Sequence, residues 1–214
     1  MDSVSRVPAG LLRFCVLFLA AIALWSYAQT THAAVYYYIG GTNATVAKRG
    51  VWESADNWST LPRGIGGGAV PTSADTAVLS YSGTTVRIRS AASVAGLLLA
   101  NNWTGSLLMG SGTLTAAAGG IRVGSGSFVA GTGLIQTSAG YTQTGGVVSG
   151  LQGTLSVSGS LSITSVSNTS PTFTSTGTVV FSGNATQTFT VGTRTRVRPI
   201  FTNSNCADYC HRYW

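Results

Sequence analysis

From Val123 to Thr193 the chain runs without a single Asp, Glu, Lys, Arg or His. Gly, Ser, Thr and Ala fill this stretch, with single Val, Leu, Ile and Phe residues at short intervals. Without carboxylates, amines or imidazoles it has little to offer acid–base or metal chemistry. Gly and β-branched residues leave no apolar stripe of helical period, which removes helix. What remains is hydrogen-bonded β-structure around a thin apolar interior.

A loose recurrence runs through residues 90–193. Gly112, Gly126, Gly140 and Gly153 close successive units, at sequence steps of 14, 14 and 13. Three of the four units beginning at Thr113, Ser127, Tyr141 and Thr154 have a large apolar residue near their start: Leu114, Phe128 and Leu155. Each has a second apolar spot: Ile121 and Val123, Leu134 and Ile135, Val147 and Val148, Leu161 and Ile163. A unit this short cannot bury its own apolar side chains. Stacked along an axis, such units share a continuous core and pair strand on strand. The pattern predicts an all-β fold, a β-solenoid of the parallel β-helix kind with an N-terminal capping region. Gly suits its corners through positive φ. The recurring step is read as a strand–turn–strand element, with a coil spanning more than one. A β-sandwich is the alternative, because it too gives short strands with frequent turns.

Residues 34–89 read as the head or cap. Ala34 to Ile39 is a first strand, broken by Gly40-Gly41. Thr85-Val86-Arg87-Ile88-Arg89 alternates with period two, placing Val and Ile on one face and both Arg on the other. Between them lie Trp52, Asn57-Trp58-Ser59, a Gly-rich loop ending at Pro71, and Asp75 leading a short apolar strand. Together with the Gly177–Gly192 run, these residues resemble the opening and the strand units of bacterial autotransporter and adhesin-like exoproteins. That resemblance implies a β-solenoid passenger region, bacterial origin and display at the outer membrane.

Trp52, Trp58 and Trp103 could stack on sugar rings. For Trp52 and Trp58 the reading preferred is closure of the solenoid's open end, since every solenoid needs a terminal cap while ligand binding is optional. Glu53, Asp56 and Asp75 are the only carboxylates between Ala34 and Thr193. A paired-carboxylate hydrolase needs two such groups about 5–10 Å apart across one sugar, so Glu53 and Asp56 are the pair to inspect. Carboxylates beside turns usually cap backbone. A lyase of the β-helix type ranks last: Lys48 is the one lysine, and no acidic cluster could hold a metal. No catalytic residue, cofactor or metal site is expected.

Residues 1–33 read as a signal peptide. Arg6 and Arg13 precede the apolar run Phe14–Trp25, and Thr31-His32-Ala33 fits a cleavage site before Ala34. The run is too short to span a bilayer, which takes about 20 residues. The mature chain is therefore expected to be exported, secreted or at the cell surface, with no membrane span. At residue 194 the composition changes. Gly disappears, and four Arg, two Cys, two Tyr and a His arrive before the terminal Trp214. This tail, 194–214, is read as the product of a frameshift or truncated gene; a basic end that docks on an acidic surface polymer is the alternative. Cys206, Cys210 and His211 offer three metal ligands but no second cluster, so one local disulfide is the simpler reading.

The formal charge of +7 divides into +1 in residues 1–33, +3 in residues 34–193 and +3 in the tail. It reflects scarce acids and not a basic stripe. Arg87 and Arg89 share a strand face, but nothing in the sequence extends the pair, so nucleic acid is not an expected partner. The expected role is structural or adhesive, with a surface polysaccharide or a host or abiotic surface as partner. A glycan-binding or carbohydrate-active β-helix is the alternative.

Overall fold

The computed structural model describes residues 33–40, 49–80, 83–166, 169–192 and 195–203, the stretch 196–203 as backbone alone. The segments 1–32, 41–48, 81–82, 167–168, 193–194 and 204–214 fall outside it, and with them the apolar run at residues 14–25, Lys48, Cys206, Cys210 and His211.

The head contains β1 (Val35–Tyr38), β2 (Trp58–Ser59) and β3 (Thr76–Leu79). Then come β4 (Thr85–Ile88), β5 (Ala91–Leu99), β6 (Ser106–Met109) and β7 (Thr113–Val123). The middle contains β8 (Ser127–Gly131), β9 (Leu134–Thr137), β10 (Tyr141–Gln143) and β11 (Val147–Leu151). The last are β12 (Thr154–Val157), β13 (Leu161–Ile163), β14 (Thr172–Phe181), β15 (Phe189–Val191) and β16 (Arg196–Asn203). The described residues hold no α-helix, only a 3-10 turn at Ala55–Asn57, and no helix among them is long and apolar enough to cross a membrane.

Among the described residues every strand pairing is parallel except that of β2 with β1. The pairings sort into three faces. Face A stacks β4, β6, β8, β11 and the first parts of β14 and β16. Face B stacks the first parts of β5 and β7, then β9, β12 and the second parts of β14 and β16. Face C stacks β1, β3, the second parts of β5 and β7, then β10, β13 and β15. β5, β7, β14 and β16 each turn a corner between faces, marked by a break in register at Val94/Gly96 and at Thr174/Thr178. The described residues thus form a three-sided β-solenoid of about five turns, and the sandwich alternative is not formed among them.

Coil length follows from the register. Thr85, Ser106, Ser127, Val147, Thr172 and Arg196 stand side by side on face A, one per coil. The step from Gly112 to Gly126 is shorter than any of these and covers two sides of the three-sided coil. Gly112 precedes a face B strand, Gly126 a face A strand, Gly140 a face C strand, and Gly153 a face B strand again. Three glycine steps therefore make two coils, and the sequence units run out of phase with the structural ones.

Of these four glycines only Gly126 has positive φ, at 74°. The others are demanded by close approach. At the corner entering face B, a Cβ on Gly112 would lie 1.8 Å from the carbonyl oxygen of Ser90. A Cβ on Gly133 would lie 1.9 Å from Gly112 O, on Gly153 2.0 Å from Gly133 O, and on Gly177 2.0 Å from Gly153 O. The same carbonyls accept the next N–H in line: Thr113 N to Ser90 O, Leu134 N to Gly112 O and Thr154 N to Gly133 O, each at 3.2 Å. A side chain at any rung of this column would push apart two backbones that hydrogen-bond.

The interior is a set of columns. Val86, Leu107, Phe128, Val148 and Phe173 stack from face A; Ala92, Leu114, Ile135, Leu155 and Val179 from face B; Ala77, Leu97, Ile121, Tyr141 and Leu161 from face C. All are buried in one cluster. A fully buried Leu or Phe contributes about 1.5–3 kcal/mol, so no unit stands without its neighbours. One rung carries polar groups inward. Gln143 is fully buried, and its Nε2 donates to the carbonyls of Gly145 and Gly146 at 3.2 Å and of Thr172 at 3.0 Å. The Tyr141 hydroxyl donates to Gln143 Oε1 at 3.4 Å, and burial pushes its phenol well above its usual range.

Candidate functional site: the N-terminal head

The head begins as a coil and then departs from the pattern. β1 lies on face C. Residues 50–52 run along β4 on face A: Arg87 N donates to Gly50 O at 2.7 Å, Trp52 N donates to Arg87 O at 2.9 Å, and Val51 stands beside Arg87. Where the chain would continue into face B it instead makes the 3-10 turn Ala55–Asn57. β2 then returns antiparallel on the outer edge of β1. A two-residue antiparallel strand is a poor template for further pairing, which suits the end of a sheet.

This turn brings three aromatic rings together. Trp52 and Trp58 meet edge to face with centroids 4.7 Å apart, and Tyr38 meets Trp58 likewise at 5.4 Å. Trp58 Nε1 donates to Trp52 O at 2.7 Å, and Asn57 Nδ2 donates to Val51 O at 2.6 Å. Burial pushes the Tyr38 phenol up. Trp103 lies elsewhere, at the corner between faces C and A, in space left by two glycines. A Cβ on Gly105 would lie 2.8 Å from its ring and one on Gly126 2.6 Å from it. Trp52, Trp58 and Trp103 are 1 %, 0 % and 0 % exposed. A sugar-stacking platform needs an open indole face, and none of the three offers one. The residues alone do not reveal this burial, because a cap and a platform both call for Trp near Gly-rich turns.

Two of the three carboxylates hold backbone. In later coils a single carbonyl closes the corner entering face B by accepting two successive N–H groups. Thr132 N and Gly133 N both donate to Gly110 O at 3.1 Å, and Gln152 N and Gly153 N to Gly131 O at 2.8 and 3.1 Å. At the first such corner Glu53 Oε1 takes that role, accepting from Arg89 N at 2.7 Å and Ser90 N at 3.1 Å. The carboxylate replaces the backbone of a coil that the head does not form. Asp75 spans the edge of face C: Oδ1 accepts Ala34 N at 3.0 Å, and Oδ2 accepts Thr72 N at 2.9 Å and Thr72 Oγ1 at 2.6 Å. Burial alone would raise its carboxyl, but these donors together outweigh burial and hold it below its ordinary value. Asp56 sits in the 3-10 turn. Glu53 is thus committed to closing a corner, so the Glu53–Asp56 pairing does not present two free carboxylates.

The described residues hold no cluster of three or more His, Cys, Asp or Glu side chains able to bind a metal. The residue that sequence reasoning passed over is Arg49. The parallel pairing of Val51 with Arg87 carries Arg49, two residues before Val51, onto the rung next to β4 near Thr85, although the two segments are remote along the chain. Only the non-local pairing signals that proximity.

No protein-family model, curated protein or solved structure matches this chain.

Proposed function

We propose that this chain is an exported, non-catalytic scaffold: a β-solenoid of a secreted or cell-surface protein, serving adhesion or as an extended stalk, of the kind found in bacterial autotransporter and adhesin-like exoproteins. The observation that carries the reading is the use made of its few acids. Asp75 spends both oxygens, and Glu53 its Oε1, on backbone N–H groups and a Thr hydroxyl, while Glu53 Oε2 is buried. From Val123 to Thr193 the chain has no group of the kind that moves a proton near neutral pH. The core is instead built for stacking, and many outward positions carry Ser and Thr. Export is supported by Arg6 and Arg13 before the apolar run Phe14–Trp25.

Incubation of the full chain with neutral and acidic polysaccharides, followed by assay of new reducing ends and of unsaturated sugars, is expected to show no turnover. Reproducible cleavage would overturn the reading. N-terminal sequencing of the exported protein is expected to begin at Ala34. The indole-platform form of a glycan-binding protein is not favoured, because Trp52, Trp58 and Trp103 have no open face.

A further inference from the structure

We propose that the N-terminal end of face A docks an acidic polysaccharide through Arg49, Arg87 and Arg89. The proposal rests on the reading of the chain as a non-catalytic binding scaffold and names the chemical class of its partner.

β4 alternates strictly. Val86 and Ile88 are buried inward, 0 % and 3 % exposed, so Arg87 projects outward, and Arg89, the residue after the strand, is exposed too. Residues i and i+2 of a strand lie about 7 Å apart on one face. The chain at Arg49–Gly50 forms the adjoining rung, with Gly50 O accepting Arg87 N–H at 2.7 Å. The Arg87 guanidinium reaches over that rung, its Nη1 3.8 Å from where a Gly50 Cβ would be. Arg49 is also exposed. Three exposed arginines thus lie along two adjoining rungs at the N-terminal end of face A.

None of the three makes a side-chain hydrogen bond or ion pair among the described residues. The Glu53 carboxylate is committed to backbone: its Oε1 accepts the N–H groups of Arg89 and Ser90, and its Oε2 is buried. Three cations along one face attract an anionic polymer. The guanidinium fork matches carboxylate and sulfate oxygens in pairs, which gives such contacts geometric specificity.

The rest of face A says which anion fits. In line with Arg87, on the coils that follow, stand Leu108, Val129 and Ser149; beside them run Ser106, Ser127, Val147 and Thr172. All seven are uncharged; Val147 is exposed and the others are partly exposed. The hydroxyls of Ser106, Ser127, Ser149 and Thr172 suit sugar hydroxyls, and Leu108, Val129 and Val147 among them suit the C–H faces of sugar rings. Rungs repeat about every 4.8 Å, close to the length of one sugar in an extended polymer. A single-stranded nucleic acid would need exposed aromatics beside the cations, and Trp52, Trp58 and Trp103 are buried. The anchor is therefore ionic at the arginines, with the chain of sugars running along face A.

The test uses the full chain and three immobilised probes: polygalacturonate, dextran sulfate and neutral dextran. Binding to both acidic probes and not to dextran is expected, falling at least tenfold between about 50 and about 500 mM NaCl as the charges are screened. Arg87→Ser is expected to weaken binding roughly tenfold and the triple Arg49→Ser/Arg87→Ser/Arg89→Ser at least a hundredfold, orders of magnitude set by lost charged contacts. Arg122→Ser removes the same charge from face C and is expected to change binding less than about twofold. Unchanged melting temperatures would show that the variants fold. Equal losses from Arg87→Ser and Arg122→Ser would overturn the proposal, as would binding to dextran. So would equal, arginine-dependent binding of a single-stranded oligonucleotide. Absence of binding would remove this proposal and leave the scaffold reading standing, whereas cleavage of a bound probe would remove the scaffold reading instead.

Discussion

The first corner of the solenoid and the later ones solve one problem with different atoms. Entering face B, two successive N–H groups need an acceptor. In the body that acceptor is a carbonyl of the coil before, Gly110 O or Gly131 O. In the head, among the described residues, no carbonyl of an earlier coil takes this place, and Glu53 Oε1 stands in. The body therefore tolerates a monotonous sequence, because backbone supplies the bonds and Gly supplies the clearance. The head cannot. It needs a carboxylate at Glu53, another at Asp75, and the Trp52–Trp58–Tyr38 cluster over the core. Chemical variety gathers where the repetition stops, for a structural reason.

The largest expected effect breaks the body. Gly133→Ala sets a Cβ against Gly112 O, which is paired backbone and cannot swing aside. A loss of about 3 kcal/mol or more is expected in urea unfolding. Gly110→Ala meets nothing within 4 Å and is expected to stay within about 0.5 kcal/mol. Similar losses at the two sites would mean that close approach is not what selects glycine.

Next comes the head's packing. Trp58→Ala empties the space between Tyr38 and Trp52, at an expected cost of about 3–5 kcal/mol. An unchanged denaturation midpoint would show that the ring is not part of the end cap.

Glu53→Ala leaves the Arg89 and Ser90 N–H groups without their acceptor, and a loss of about 1–2 kcal/mol is expected. Glu53→Gln keeps an amide oxygen and is expected to recover about half of it. Were Gln no better than Ala, the carboxylate's charge and not its acceptor geometry would be what matters, and the parallel with Gly110 O would fail.

The smallest effect is a pH dependence. Against the opposing pull of burial, three donors hold the Asp75 carboxyl below its ordinary value. Its contribution is therefore present above the unfolded value, about 3.9. It is lost as pH falls through the lower folded value. Melting temperatures measured downward from about pH 5 are expected to decline more steeply in the native chain than in Asp75→Asn. Parallel curves would remove Asp75 from the account.

Much of this was legible in the residues. The pairs Leu114/Ala116, Phe128/Ala130 and Leu155/Val157 alternate with other residues, and that period fixes which side faces inward. Trp52 and Trp58 beside a Gly-rich loop announce an end. The glycines announce corners, but their spacing misleads about the coil, because one glycine step crosses two sides of three. Nor do the residues distinguish glycines that need positive φ from those that need clearance, since the second depends on a carbonyl one coil away. Arg49 reads as an isolated charge until the rung 50–52 is laid along β4.

Composition and period-two alternation were enough to establish strands without helix, a shared apolar interior and a head unlike the body. Each of those signals acts within a few residues, so the chain carries them in plain order. The three-sided coil, the reach of Glu53 to Ser90 and the laying of residues 50–52 along β4 emerged from the packing of coil on coil. They rest on backbone pairing, and backbone N–H and C=O groups are alike at nearly every residue. The side chains therefore keep little record of which strand stands next to which.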